Sequence, residues 1–289
     1  MALISPFDPW HSSMCTCPPK LTFNPYTGCD HGCVYCYASS YIPQFAKCRP
    51  KSNLLKRLQC EATKLKGETV SIANSSDPYP RMEATLGLTR RCLEIFAESN
   101  CRIQIITKSN LVIRDIDLLS KVPSTVALTI TTDDAEMARR LEPYAPSPDA
   151  RLRAVEALVK EGIPVSVRID PVIPFVNDHP EELIAKLAAI DVRHVTSSTY
   201  KIKPDNWRRF SSVLPDVAEK LKPFYVKKGE RIGGNILLAR DFRFKLLKNI
   251  HDLTMANNME FGVCREGLTQ LNTAACDASW LLNTETKET

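Results

Sequence analysis

The chain has 289 residues, 44% of them apolar and 25% charged, which is enough to bury one large α/β core. A formal charge of +5 permits an anionic partner without demanding one, and no Lys/Arg run has the density of a nucleic-acid tail. Residues 1–10 lack the basic start and apolar centre of a signal peptide, and no apolar run approaches the roughly 18 residues of a bilayer span, so the expected location is cytoplasmic with no membrane partner.

In chain order, short β-branched runs alternate with amphipathic stretches. A strand is expected over residues 21–27 and a helix over 52–65, with Leu54, Leu55, Leu58, Ala62 and Leu65 at helical spacing. Strand 69–73 precedes helix 88–98, strand 102–107 precedes helix 114–120, and strand 125–131 precedes helix 135–141. Pro143, Pro146 and Pro148 mark a link to a helix over 149–161, which Gly162 stops. Strand 164–169, helix 179–190 and strand 192–197 follow. Beyond Lys203 the alternation weakens. Residues 214–221 are expected to be helical, 223–232 a lid or linker, 241–255 a helix, 259–263 a further strand, and the polar tail from 282 frayed. Six strand–helix units imply right-handed parallel crossovers. The expected fold is therefore α/β: an open or partial (βα)6 barrel of TIM type with a C-terminal capping segment. Its expected parts are an N-terminal extension (1–20), a core barrel (21–204) and a cap (205–289). Reactive groups in such barrels sit on loops at the C-terminal ends of the strands.

The loop after the first strand reads Cys29-Asp30-His31-Gly32-Cys33-Val34-Tyr35-Cys36. Clustered cysteines in a reducing compartment point to metal or catalysis rather than disulfides. A four-iron cluster normally takes four thiolates, so three leave one iron open. An open position is what separates a catalytic metal centre from a structural one. Gly28 and Gly32 suit a loop that needs unusual dihedrals and close backbone approach. A structural zinc site completed by another ligand, such as His31, is the competing reading.

The Cys-x3-Cys-x-Tyr-Cys spacing resembles that of radical S-adenosylmethionine (SAM) enzymes. The stretch from Asn24 to Ala38, with Ser76-Asp77-Pro78-Tyr79, Thr107-Lys108-Ser109, Arg114-Asp115 and Asp170-Pro171-Val172-Ile173-Pro174, is similar to the branch that contains spore photoproduct lyase and its uncharacterised relatives. The resemblance covers residues 21–204. It implies that Cys29, Cys33 and Cys36 ligate a [4Fe–4S] cluster and that SAM chelates the fourth iron. It further implies an electron donor such as flavodoxin or ferredoxin, and reductive cleavage of SAM to a 5′-deoxyadenosyl radical that abstracts hydrogen from substrate. Tyr35 would pack near the adenine. Ser76 and Asp77 would meet the methionine ammonium, which wants carboxylate and hydroxyl acceptors. Lys108 would pair with its carboxylate. Thr131 and Thr132 would reach the ribose, and Arg168 and Asp170 would contact SAM or substrate. Tyr79, Arg81 and Glu83 could face substrate. Spore photoproduct lyase returns a hydrogen atom from a cysteine after its second strand. The matching stretch here, 72–77, has none, so dimer repair is not expected unless Cys264 or Tyr79 takes that part.

Cys15, Cys17, Cys264 and Cys276 could converge on a second metal site, an auxiliary cluster or zinc. Cys48, Cys60, Cys92 and Cys101 read as packing residues. Lys201, Lys203, Arg208, Arg209, Lys227, Lys228 and Arg231, with Trp207 and Tyr225 among them, suit either phosphate contacts and base stacking or an ordinary surface. The expected substrate is open, with a nucleobase in nucleic acid as one candidate. The alternative is a non-catalytic iron–sulfur or zinc protein that binds nucleic acid.

Overall fold

In the computed structural model, which describes residues 2–7 and 14–283, seven parallel strands lie side by side in chain order. They are β1 (Leu21–Phe23), β2 (Glu68–Ile72), β3 (Cys101–Thr107), β4 (Ser124–Thr129), β5 (Val165–Val172), β6 (His194–Thr199) and β7 (Glu260–Val263). Ser5–Pro6 adds an antiparallel edge to β1. The register sets Val70 opposite Ile103, Ile105 opposite Val126, and Val167 opposite Val195, and shifts between Ile169 and Val172 where β5 runs along β6. Among the described residues, eight helices of seven residues or more follow the same order: α1 (Leu54–Ala62), α2 (Leu88–Ala97), α3 (Ala135–Leu141), α4 (Pro148–Lys160), α5 (Glu181–Ala189), α6 (Pro204–Val213), α7 (Pro215–Val226) and α8 (Arg240–Ala256). Among the described residues no helix is long and apolar enough to cross a membrane.

Strand alternation sorts the side chains. Along β5, Val165, Val167 and Ile169 enter the main core with Phe23, Phe96, Leu128 and Leu158. Their neighbours Ser166, Arg168 and Asp170 take the other face, where Ser166 meets His194 and Asp170 meets Ser198 on β6, and Arg168 pairs with Asp170. Full burial of each large apolar side chain contributes about 1.5–3 kcal/mol, which ties the helices to the outer face of the sheet. Local signals set the helix starts next to the site. Asp134 accepts from the Glu136 and Met137 N–H groups, and Ser147 caps α4 ahead of Pro148.

Three expectations need correction. The first strand stops at Phe23, because Asn24-Pro25 interrupts it and proline has no N–H for a ladder; Tyr26–Thr27 instead pairs with Arg49–Pro50. The segment after Lys203 is more helical than its pattern suggests. Pro204 and Pro215 start α6 and α7, where a missing N–H costs nothing, and Pro223 lies inside α7. The expected lid at 223–232 is therefore the end of α7 and half of a hairpin, Glu230–Ile232 with Asn235–Leu237. The C-terminal third also does more than cap, since β7 pairs in parallel with β6 and extends the sheet. The expected tail beyond residue 283 and part of the N-terminal extension, residues 8–13, lie outside the described residues.

The cap builds a second apolar cluster at the mouth of the half-barrel. Val34 and Tyr35 of the cysteine loop pack there with Leu141, Tyr200, Phe210, Leu221 and Tyr225. The loop is thus clamped between barrel and cap.

Candidate active site

The strand ends and the cysteine loop enclose a cavity of about 240 Å³. Cys29, Cys33 and Cys36 line it together, with Tyr35, Ser76, Asp77, Lys108, Arg168, Asp170 and Cys264. The loop folds tightly. Gly28 has φ +79°, and a Cβ there would sit 2.3 Å from the Phe45 carbonyl oxygen, which accepts from the Cys29 N–H at 2.9 Å. Only glycine fits both constraints. Burial pushes the Cys33 thiol up to about 12 and raises Cys29 and Cys36 as well. Thiols so placed ionise only against a compensating cation such as bound iron.

A buried charge network supports the loop from behind. The Tyr35 hydroxyl donates to Glu142, lies 3.1 Å from the Thr131 hydroxyl, and its ring faces the Lys108 ammonium at 5.6 Å. Thr131 donates to Glu142 Oε1 at 2.6 Å, and Arg151 forms an ion pair with the other carboxylate oxygen. Against the cost of burial, Arg151 and Lys108 pull the Glu142 carboxyl down to about 2. Neither Glu142 nor Arg151 was expected at the site. Helix α6 holds the loop from its other side. Arg209 donates to the carbonyls of Cys33 (2.9 Å) and Cys36 (2.7 Å), and Asn206 to that of Tyr35 (3.0 Å).

At the β2 end, Ala73 takes φ +65°, a left-handed conformation that is strained for a residue with a Cβ, and turns Asn74–Asp77 across the cavity. Ser76 donates to the Tyr26 carbonyl at 3.2 Å. Asp77 lines the cavity, yet its carboxylate already accepts from Thr107 Oγ1 (2.7 Å), the Tyr79 N–H (2.8 Å) and the Lys108 N–H (2.8 Å). It knots two strand ends together, and His31, 3.5 Å away, stands beside its remaining face. Opposite, Arg168 pairs with Asp170 at 2.6 Å and Ser198 donates to Asp170 at 2.6 Å. Against the cost of burial, Arg168 and Lys201 hold the Asp170 carboxyl below the usual carboxylate range.

Several expected site residues lie elsewhere. Tyr79 is 1% exposed, packs into the main core and does not line the cavity, because the Asp77-Pro78 turn carries it outward. Glu83 is also buried, accepting from Tyr26 and Arg114, and Arg81 lies on the outer surface. Thr131 stands behind Tyr35 rather than in the cavity, and Thr132 faces a separate cleft with Asp133 and Asp178. The stacking platform also dissolves. The Tyr225 ring is buried and its hydroxyl donates to the Tyr200 carbonyl, while Trp207 packs on Phe210. Lys201 turns inward to Glu266.

The expected second metal site at the four outlying cysteines is not supported. Cys17 and Cys276 face each other at 4.0 Å with Cys15 beside Cys17, while Cys264 lines a neighbouring cleft with Cys17 and Cys276 and also reaches the main cavity beside Arg168. Among the described residues, no three His, Cys, Asp or Glu side chains gather closely enough to hold one metal ion. That also holds for Cys29, Cys33 and Cys36. An iron–sulfur cluster spreads its thiolates over separate irons, whereas a single zinc needs them convergent.

A parallel half-barrel carries three cysteines on its first strand-end loop, facing the other strand ends across a cavity. The chain belongs to the radical SAM superfamily, whose pattern matches residues 23–188. It is 30% identical over 198 residues to an uncharacterised protein of Mycobacterium tuberculosis, a match covering 62% of this chain and 58% of that one. It is 26% identical over 179 residues to a radical SAM Nα-GlyT isomerase of Pseudomonas phage M6, covering 59% of this chain and 37% of that one. The chain thus spans little more than half of the first relative and less of the second. Its fold is similar to spore photoproduct lyase complexed with dinucleoside spore photoproduct, at TM-score 0.62 and 18% identity, covering 82% of this chain and 74% of that one. Superfamily membership implies a [4Fe–4S] cluster and SAM. The buried, spread thiols fit the first, and the cavity flanked by Tyr35, Ser76, Lys108 and Arg168 fits the second.

Proposed function

We propose that this radical SAM enzyme acts on a nucleobase within nucleic acid, as a lyase or group-modifying enzyme, with a flavodoxin or ferredoxin as electron donor. The observation that carries the catalytic reading is the single cavity shared by the three cysteines, the strand-end polar groups and Cys264. The nucleobase reading is supported by the names of two relatives, one an isomerase of GlyT and one a lyase holding a dinucleoside. In this reading residues 21–204 generate the radical, and the segment from 205 closes the loop and lines the substrate side.

When bound, the cluster and SAM together supply a 5′-deoxyadenosyl radical, and the protein's task is to bind, orient and exclude water. Cys29, Cys33 and Cys36 would hold the cluster. Tyr35, fixed by Glu142, presents its ring to the adenine. Ser76 offers an acceptor to the ammonium on a turn that Asp77 fixes, and Lys108 answers the carboxylate. Arg168 and Asp170, locked to each other and to Ser198, fix the floor on which substrate rests. Cys264 stands on the substrate side and can return a hydrogen atom: its S–H bond breaks, a C–H bond forms, and the thiyl radical takes one electron from the carrier and one proton from solvent.

Anaerobic reconstitution with iron and sulfide, followed by dithionite and SAM, should yield a visible iron–sulfur band and 5′-deoxyadenosine. Absence of both would sink the enzyme reading. Mass shifts in DNA or RNA nucleosides after deletion of the gene test the substrate, and a shift confined to peptides or small metabolites would remove the nucleobase. Cys264→Ser should keep 5′-deoxyadenosine formation and lose at least about tenfold in product, as expected for a group acting after the first abstraction.

A further inference from the structure

The reading above, on which this inference rests, requires an electron, and the cysteine loop has a face from which to receive one. Cys29, Cys33 and Cys36 look into the cavity, but Gly32 between the first two is exposed on the outer side. A Cβ on Gly32 would meet the Tyr144 ring at 2.8 Å, so the ring rests directly on the loop backbone. The Tyr144 N–H donates to the His31 carbonyl at 3.1 Å, which locks this contact to the loop. Yet the Tyr144 side chain is among the most exposed large apolar groups, 57% open. Nothing in its own chemistry explains an exposed ring pinned to a cofactor loop.

One cation touches the ring, and two more stand on the helix that precedes it in the chain. The Arg81 guanidinium lies 5.0 Å from the ring centre, its side chain is 65% exposed, and Asp30 neutralises it only loosely at 3.6 Å. Arg139 and Arg140 are exposed on the last turn of α3, whose Leu141 carbonyl accepts from the Val34 N–H at 2.9 Å. Arg140 is oriented by the Val213 carbonyl at 2.8 Å. SAM and substrate approach from the cavity side, which leaves this outer face to the reductant.

We propose that the Gly32–Tyr144 face is the docking surface for a small acidic one-electron carrier protein, with Arg81, Arg139 and Arg140 facing its carboxylates and Tyr144 the contact nearest the cluster loop. One electron leaves the reduced carrier and enters the cluster site, and no bond forms or breaks. Complementary rim charges act chiefly on the encounter rate, and the +5 charge of the chain works in the same direction.

The test uses the reconstituted enzyme with either reduced flavodoxin or dithionite, following loss of the visible cluster band by stopped flow. Arg81→Glu combined with Arg140→Glu should slow reduction by flavodoxin about tenfold or more and flatten its salt dependence. Reduction by dithionite, which needs no docking, should not change. Titration calorimetry with oxidised flavodoxin and cluster-free protein should show the same weakening. Lys248→Glu on α8, outside this surface, should leave every value as in the parent. An unchanged flavodoxin rate overturns the proposal, as does equal slowing by dithionite, which would mean a damaged loop. Capture of an oligonucleotide by this face in place of flavodoxin overturns it too. Formation of 5′-deoxyadenosine with dithionite reports on the catalytic reading separately, so the two can fail independently.

Discussion

Glu142 is the buried charge on which the cysteine loop rests, and its neighbours make it costly to remove. Replacing it leaves the Arg151 guanidinium, 1% exposed, without its counter-charge. Breaking a buried pair from one side costs about 3–5 kcal/mol, so Glu142→Gln should lower the thermal midpoint by several degrees. The pH dependence has a definite sign. A carboxyl depressed on folding adds stability that is fully present above its unfolded value and is lost as pH falls through the folded value. For Glu142 that window runs from the ordinary 4.5 down to about 2. The gap in midpoint between the parent and Glu142→Gln should narrow as pH falls through it, and a gap that stays constant would show that the ion pair is not its source. The cysteines stood out by their spacing, and Ser76, Lys108, Arg168 and Asp170 were expected beside them through the resemblance and their places at strand ends; all of them line one cavity. Glu142 and Arg151 were not expected, because single charges in and beside helices read as surface. A signal existed: Arg151 shares the buried stripe of α4 with Ala154, Val155 and Leu158, and an arginine at such a position needs a buried partner.

Helix α6 shows what an element outside the matched family region adds to the site. Its Arg209 grips two carbonyls of the cysteine loop and also Ser39 Oγ at 2.6 Å, while Asn206 takes a third carbonyl. The guanidinium brings positive charge to the back of the loop, which favours the reduced, more negative state of a cluster bound there. Arg209→Met is therefore expected to retain less iron per chain and to shift the reduction potential to more negative values in an EPR-monitored titration. Arg209→Lys should restore part of the potential through its charge, but not the iron content, since an ammonium cannot reproduce the planar fork. Unaltered potential in both variants would reduce Arg209 to a packing role. The alternation of strands and helices up to residue 203 was readable because each element carries its own hydrophobic period. Helix α6 hid behind Pro204 and a run of basic and aromatic residues that fits a nucleic-acid surface equally well. Only the packing of Trp207 and Phe210 against Tyr200 and Tyr225 shows which face is core.

At the scale of the whole molecule, the residues just before β1 and the segment after β7 meet inside the half-barrel. β7 joins the sheet beside β6, and the segment after it returns so that Asp277 reaches Lys20, just before β1. This closure was not legible, since a four-residue strand has almost no periodicity and its partner is distant in sequence. The Lys20 ammonium donates to Asp277 at 2.6 Å and to Gln104 at 2.8 Å, and both partners of the ion pair are at least 95% buried. Gln104 donates to the Asp277 carbonyl and Thr196 to that of Cys276, so the first strand, the middle of the sheet and the C-terminal segment share one polar plug. Asp277→Ala leaves an unpaired ammonium in that plug and should cost about 3–5 kcal/mol. Lys20→Met with Asp277→Leu removes both charges, and such replacements are often neutral or stabilising when the volume is kept. Urea unfolding of the three variants separates a charge effect from a packing effect. Recovery in the double variant would place the cost in the orphaned lysine. No recovery would mean that the carboxylate's hold on the Ser279 N–H, and with it the course of the C-terminal segment, is what closes the barrel.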